Sequence, residues 1–288
     1  MKPVAVVTGV STGIGAATVA HLLAQGFEVF GSVRKAADGE RLRGSWGADF
    51  HPLVFDVTDE AAVRAAAAEV ASHLKGRRLA GLVNNAGIAV AGPLSDVPLA
   101  QMRHQLEVNL IGVLAVTQAF LPLLGTAPER QGPPGRIVML SSVGGQIGAP
   151  FLGPYVASKF GLEGLSHSLR RELRIYGIDV VMVAPGHVAT PIWDKAEEAE
   201  IAPYAHLPIA PALRRFRELF IAQGRRGFPP ARIAEVIGTA LTTPRPRSRY
   251  AVVPGRLMNW TIPKLLPDRW VDAALGAQLG LRPPPRVD

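Results

Sequence analysis

Val4-Ala-Val-Val-Thr-Gly-Val-Ser-Thr-Gly-Ile-Gly15 decides the architecture of this chain. Four apolar, mostly β-branched residues are followed at once by a glycine-rich turn, and Ala16 to Gln25 then carries helix formers up to Gly26. The pattern predicts a strand, a tight turn and a helix. Glycines let a backbone come close to a pyrophosphate, and the free amides and dipole of a helix N-terminus favour its charge. Gly9, Ser11, Thr12, Gly13, Ile14 and Gly15 are therefore the candidate phosphate contacts. The spacing G-x-x-x-G-x-G differs from the common G-x-G-x-x-G fingerprint. A glycine turn that only packs a helix on a sheet would look the same, so the loop alone does not assign a function.

Working outward, Glu28-Val-Phe-Gly-Ser-Val33 reads as a second strand ending beside the loop, where an adenosine ribose is read. A carboxylate there would accept from the ribose 2′-hydroxyl and repel a 2′-phosphate, but the chain continues Arg34-Lys35. A guanidinium fork and an ammonium suit the phosphate. NADP(H) is the expected cofactor, and Asp38 nearby keeps NAD(H) open.

Tyr155-Val-Ala-Ser-Lys159 follows Ser142 by thirteen residues. A tyrosine and a lysine four apart share one helix face, and an ammonium beside a phenol would lower its pKa toward neutrality, making it a usable proton donor or acceptor. Any long amphipathic helix can carry this pair by chance; the glycine loop upstream gives it weight.

With these residues in hand, positions 3 to 192 resemble the classical short-chain dehydrogenase/reductase family. The resemblance rests on Thr8 to Gly15, Asp56-Val57, Asn84-Asn-Ala-Gly87, Asn109, Ser142, Tyr155 with Lys159, and Pro185-Gly186 followed by Val188 and Thr190, all in the family's order. It implies a Rossmann-type, doubly wound parallel α/β sheet. It also implies an adenine contact at Asp56 and Val57, a cofactor wall at Asn85, Ala86 and Gly87, and a carboxamide clasp at Pro185, Gly186, Val188 and Thr190. Of the two adjacent asparagines, Asn85 is assigned to the cofactor. Proton exchange falls to Tyr155. Lys159 lowers the Tyr155 pKa and holds the nicotinamide ribose, Ser142 bonds the developing oxyanion, and Asn109 positions a relay water. Ser141 competes with Ser142, and the spacing to Tyr155 favours Ser142. Pro150-Phe151 with Tyr155 to Leu165 is similar to the branch containing hydroxysteroid and retinol dehydrogenases.

Composition sets the remaining bounds. The 288 residues are 48% apolar and contain no cysteine, enough for one large core without disulfides. Residues 1–256 are expected to form a single domain with a substrate lid over about 187–228, and 257–288 an extension packed on the domain or on a partner subunit. Gly125 to Gly135 reads as a surface loop, Glu60 to Leu74 as an alanine-rich helix, and Pro283-Pro-Pro285 as an extended end. Met1 leaves little room for a leader before the first strand, and no apolar run is expected to span a bilayer, which points to a cytoplasmic location. No His, Cys or carboxylate cluster has metal-ligand spacing, so no metal is expected. His187, in the loop after Pro185-Gly186, is expected to face solvent.

Residues 204 to 256 hold ten arginines against Glu218 and Glu235, a net +8 equal to that of the whole chain. Such a field attracts anions, although a merely solvated surface is the simpler account. Aromatics do not interleave with the arginines, so nucleic acid is not an expected partner. The expected function is an NADP(H)-preferring interconversion of a secondary alcohol and a ketone on a lipophilic, steroid-like or retinoid-like substrate. The apolar run Pro203 to Pro211 motivates the lipophilic part. A 3-oxoacyl thioester reductase and a non-catalytic NADP(H)-sensing module are the alternatives. By the same resemblance, Gln101 to Leu124 and Tyr155 to Tyr176 are expected to pair across a two-fold in a homodimer or homotetramer.

Overall fold

A computed structural model describes residues 1–198 and 201–282, apart from the side chain of Lys195. Pro283 to Pro285 lie outside the described residues. The chain alternates strand and helix as β1 (Val4–Val7), α1 (Gly13–Ala24), β2 (Glu28–Val33), α2 (Ala36–Trp46), β3 (Phe50–Val54), α3 (Glu60–Leu74) and β4 (Gly81–Asn84). It continues with α4 (Leu99–Leu106), α5 (Gly112–Leu121), β5 (Arg136–Leu140), α6 (Gly153–Glu172), β6 (Asp179–Pro185), α7 (Ile192–Glu198), α8 (Ala210–Arg225), α9 (Pro230–Thr242), β7 (Arg249–Val252) and α10 (Asp268–Leu279). All seven strands are parallel, in the order β3-β2-β1-β4-β5-β6-β7. The order reverses between β1 and β4, and the crevice beyond the carboxyl ends of those two strands is where such sheets bind ligands.

Alternation along β1 divides the core. Val4 and Val6 face the layer of α3, α5 and α6, where Val63, Val70, Val116, Phe120 and Leu162 are buried. Ala5 and Val7 face α1 and α9, where Val19, Leu22, Ile233 and Ile237 are buried. With both faces covered, the strands read as unbroken apolar runs. β1, β2 and α3 have the bounds read from sequence, whereas α1 starts at Gly13, three residues earlier than its first strong helix former.

The helix expected over 101–124 runs from Leu99 to Thr126 and contains two π-helical turns, Glu107–Ile111 and Pro122–Thr126. A π-turn inserts one residue without changing composition, so hydrophobic periodicity does not announce it. This helix also corrects the expectation about membrane spans, because it is long and apolar enough to cross a bilayer by length and composition. Its apolar residues Val113, Val116 and Phe120 are spent on the core instead.

The C-terminal extension packs on the lid side of the molecule. Trp260 is buried against Ala184 and Val253, and Leu279 joins Phe151, Ala212 and Leu213. Other apolar residues of the extension stay outside: Leu257, Met258, Leu265 and Trp270 are exposed.

Candidate active site

The glycine loop is held by close approach. Gly9 and Gly13 adopt φ of 70° and 64°, where a side chain is strained. A Cβ on Gly15 would lie 2.2 Å from the Gly9 carbonyl oxygen, and one on Gly9 would lie 2.9 Å from the Ala86 Cα. Thr12 caps α1 without a side-chain bond, so the first-turn amides have no hydroxyl partner there. The cradle therefore suits a pyrophosphate. Thr190 borders it, lying 3.4 Å from where a Gly13 Cβ would be. Ser11 and Ile14 lie in the same turn, partly exposed.

Two braces fix the loop, and only one comes from a residue singled out in the sequence. The Asn85 amide nitrogen donates to the carbonyls of Thr8 (2.8 Å) and Gly9 (3.0 Å), while the Thr8 hydroxyl accepts from the backbone of Asn85 (3.0 Å) and Ala86 (2.9 Å). Asn84 instead bonds the Thr117 hydroxyl across the core at 2.9 Å. The second brace is buried Ser32, whose hydroxyl accepts from the Gly9 amide at 3.0 Å. A serine inside a strand carries no signal of that role.

At the carboxyl end of β2, Arg34 and Lys35 are exposed, and Asp38 is paired with Arg41 at 3.4 Å. The one carboxylate that would select the ribose hydroxyl thus has a cation of its own. Asp56 accepts from the Thr58 amide (3.0 Å) and hydroxyl (2.8 Å). Burial works to raise its pKa, but these bonds and the charge of Arg34 hold it below the usual carboxylate value. Val57 beside it is buried against α5, its carbonyl oxygen 2.8 Å from where a Gly112 Cβ would be.

Ser142, Tyr155 and Lys159 converge where β5 meets α6. Burial lifts the Tyr155 phenol above its ordinary pKa, and the Ser142 hydroxyl, as its hydrogen-bond partner, works the other way. The Lys159 ammonium lies 5.7 Å from the centre of the Tyr155 ring and donates to the Leu140 carbonyl at 2.8 Å. Burial lowers the pKa of Lys159 to about 8, opposed by the charge of Glu163 one turn on. The phenol thus lies above its ordinary value here through desolvation, and Ser142 rather than Lys159 is the group that opposes it. Ser141 turns away and donates to Glu163 at 2.5 Å. Glu163 in turn accepts both Nη groups of Arg249, Nη1 at 2.7 Å.

Asn109 sits in the first π-turn with both of its amide hydrogens engaged. Its oxygen accepts from the Ile88 amide at 2.8 Å, and its nitrogen donates to the Ile88 carbonyl (2.9 Å) and the Ser158 hydroxyl (3.1 Å). A relay water held by this side chain would donate to the second lone pair of its oxygen, since both amide hydrogens are spent. Gln105, one turn earlier, clamps the same segment through Val90 (2.7 Å) and Ile88 (3.0 Å). Gly87 leaves room for it, a Cβ there lying 3.2 Å from the Asn109 oxygen.

Beyond Pro185, the Gly186 amide donates to Val252 at 2.9 Å and Val188 is buried. His187 does not face solvent as expected. Its ring lies 5.3 Å from Phe220 and 6.0 Å from Trp193, and burial lowers its pKa. Trp193 is near in sequence but Phe220 on α8 is not, so the loop alone misleads. Trp193 anchors this cluster by donating to the Val188 carbonyl at 2.6 Å and lying over Gly224, where a Cβ would come within 2.2 Å of the indole. A groove of about 450 Å³ lies between α8 and the tail, bounded by Ile209, Ala212, Arg215, Leu279 and Arg282. None of Ser142, Tyr155 and Lys159 lines it.

The arginine excess is smaller in space than in sequence. Arg249 is committed to Glu163, and Arg225 pairs with Asp194 and Glu197. Those acids lie outside the 204–256 window, and the fold brings them to it.

The chain is similar to known proteins along most of its length. Residues 3–201 match the family model described as short chain dehydrogenase. An NADPH-dependent 3-dehydrocapnine reductase of Ornithobacterium rhinotracheale is 39% identical, over 93% of this chain and 94% of the relative. Human retinol dehydrogenase 5 is 33% identical, over 93% of this chain and 86% of its own length. A crystal structure of a short-chain dehydrogenase from Streptomyces avermitilis superposes with a TM-score of 0.76 at 26% identity, covering 98% of this chain and 97% of that one.

Proposed function

The chain belongs to the short chain dehydrogenase family, as an NAD(P)-dependent oxidoreductase acting between alcohol and ketone, and from that premise we propose that it reduces a ketone on a lipophilic substrate with Tyr155, Ser142 and Lys159. The observations that carry this reading are the convergence of those three groups and a lid cluster of Trp193, Phe216 and Phe220 that reaches Phe151, four residues before Tyr155, with Phe151 and Phe216 ring centres 5.5 Å apart. Walls of this kind suit an apolar substrate. The likeness to a dehydrocapnine reductase and a retinol dehydrogenase supports the same class.

In this reading Gly9, Ser11, Thr12, Gly13, Ile14 and Gly15 hold the pyrophosphate, Arg34 the 2′-phosphate, and Asp56 and Val57 the adenine side. Asn85, Ala86 and Gly87 form the inner wall, and Pro185, Gly186, Val188 and Thr190 the carboxamide clasp. The bound nicotinamide supplies the hydride. Tyr155 delivers the proton to the substrate oxygen, a task suited to a phenol whose burial keeps it protonated at neutral pH. Ser142 donates to the same oxygen as negative charge develops on it. Lys159, still largely charged at pH 7, stabilises the phenolate left behind and returns the proton. Asn109 is a positioning residue that fixes segment 88–90 and Ser158. The catalytic domain spans 1–256 and the extension 257–288, of which the part to residue 282 packs against the lid through Leu279.

We further propose a homodimer or homotetramer in the cytoplasm, assembled through α4–α5 and α6, on which Ile111 and Phe160 are exposed. A monomer in light scattering would count against the assembly.

The functional test is NADPH consumption against a panel of steroids, retinoids, long-chain ketones, acyl thioesters and small polar ketones. Selective turnover of the lipophilic ketones is expected. Turnover only of the small polar ketones would overturn the substrate class, and tight NADPH binding without any turnover would overturn catalysis.

A further inference from the structure

The start of β2, the start of β3 and the last turn of α3 bring three potential metal ligands together. The Glu28 Oε1 atom lies 2.7 Å from the His51 Nε2 and 2.9 Å from the His73 Nε2. All three ligand atoms lie within 4.8 Å of one another. Glu28 and His51 are 23 residues apart, which is why ligand spacing along the chain gave no hint of the cluster.

The imidazoles are held as a metal site requires. His51 stacks on Phe30 with centroids 4.6 Å apart, and His73 meets the edge of the same ring at 5.0 Å. One aromatic side chain thus orients both imidazoles. Side-chain exposures of 18% for Glu28, 28% for His51 and 33% for His73 leave a mouth open to water.

We propose that Glu28, His51 and His73 form a binding site for one divalent cation of the zinc type, with water as fourth ligand, which clamps edge strand β3 and the end of α3 to β2. With hydrogen on each Nδ1, both Nε2 lone pairs point to the region the carboxylate oxygen faces. Zinc bonds of about 2.0–2.1 Å in a tetrahedron set ligands roughly 3.3 Å apart. The two N···O separations open by about half an ångström to reach that value, within rotation of partly exposed side chains. Neutral imidazole and carboxylate with no thiolate favour zinc over calcium or magnesium, which take oxygen ligands. The site lies at the opposite end of β2 from Arg34, five residues or roughly 17 Å along the strand from Val33. Its role is therefore structural and separate from the reaction.

The test uses untagged, chelator-treated full-length enzyme titrated with zinc chloride by calorimetry, with NADPH binding measured in parallel. One zinc per chain with a Kd on the order of 1 µM is expected, together with a thermal midpoint that rises as zinc is added. His51→Gln and His73→Gln should each weaken zinc at least roughly tenfold while binding NADPH as the wild type does, which also certifies that they are folded. Absence of saturable binding below about 100 µM, or unchanged zinc affinity in both histidine variants, overturns the proposal. If one variant fails to fold, the other carries the test.

Discussion

Ser141 and Ser142 stand side by side at the end of β5 and send their hydroxyls to opposite duties. Ser141 donates to buried Glu163 at 2.5 Å, whereas Ser142 partners the Tyr155 phenol. Ser142→Ala should therefore lower kcat/KM by roughly 10²–10³ with NADPH affinity intact. Ser141→Ala should leave turnover near wild type and cost about 1–2 kcal/mol in denaturant unfolding. Equal kinetic damage from both would refute the division.

Lys159 carries a cost that depends on pH. Its folded pKa is about 8 against an ordinary value of 10.5, so the charged form is disfavoured by folding. The penalty is full below pH 8, fades as the folded lysine loses its proton, and is gone above pH 10.5. Lys159→Met should abolish turnover yet raise stability near neutrality, by up to about 3 kcal/mol. Thermal unfolding at pH 7 and pH 9.5 checks this; a gain that does not shrink at the higher pH would contradict it.

Arg34→Glu should reverse cofactor choice, because Asp38 is already paired and the new carboxylate would face the 2′-phosphate. NADPH affinity should fall relative to NADH by at least roughly tenfold, measured by nicotinamide fluorescence. An unchanged ratio would assign the phosphate elsewhere.

Gly15→Ala places a methyl 2.2 Å from a backbone oxygen, and backbone does not step aside cheaply. The variant should lose cofactor binding and about 1–3 kcal/mol of stability. Normal NADPH affinity in this protein would show that the loop relaxes and that the cradle was misread.

Gly224→Ala pushes on Trp193 at the same 2.2 Å but leaves the glycine loop untouched. Substrate KM should rise while the Kd for NADPH stays constant. A parallel change in both would mean that the lid also shapes the cofactor site.

The parts of this molecule legible in sequence are those written locally. The glycine turn, Tyr155 with Lys159 one turn away, and the apolar strands each carry their meaning within a few residues. Ser32, Gln105 and the Glu163–Arg249 pair were not legible, because each gains its role from a partner far along the chain: Arg249 is 86 residues from Glu163. His187 misled for the same reason, since Phe220 reaches it only through the fold. Asn84 and Asn85 were separable only in space, by which carbonyls and hydroxyls lay opposite each amide.

The lid leaves and rejoins the scaffold at a single clasp. Phe228 donates to the His187 carbonyl at 3.0 Å and its own carbonyl accepts from Ala189 at 2.9 Å. The two ends of a forty-residue excursion are therefore already joined, and the entropy of closing it changes only slowly with its length. Natural variation can lengthen, shorten or exchange this segment as an interchangeable cassette, altering what the enzyme accepts while the seven-stranded scaffold descends unchanged.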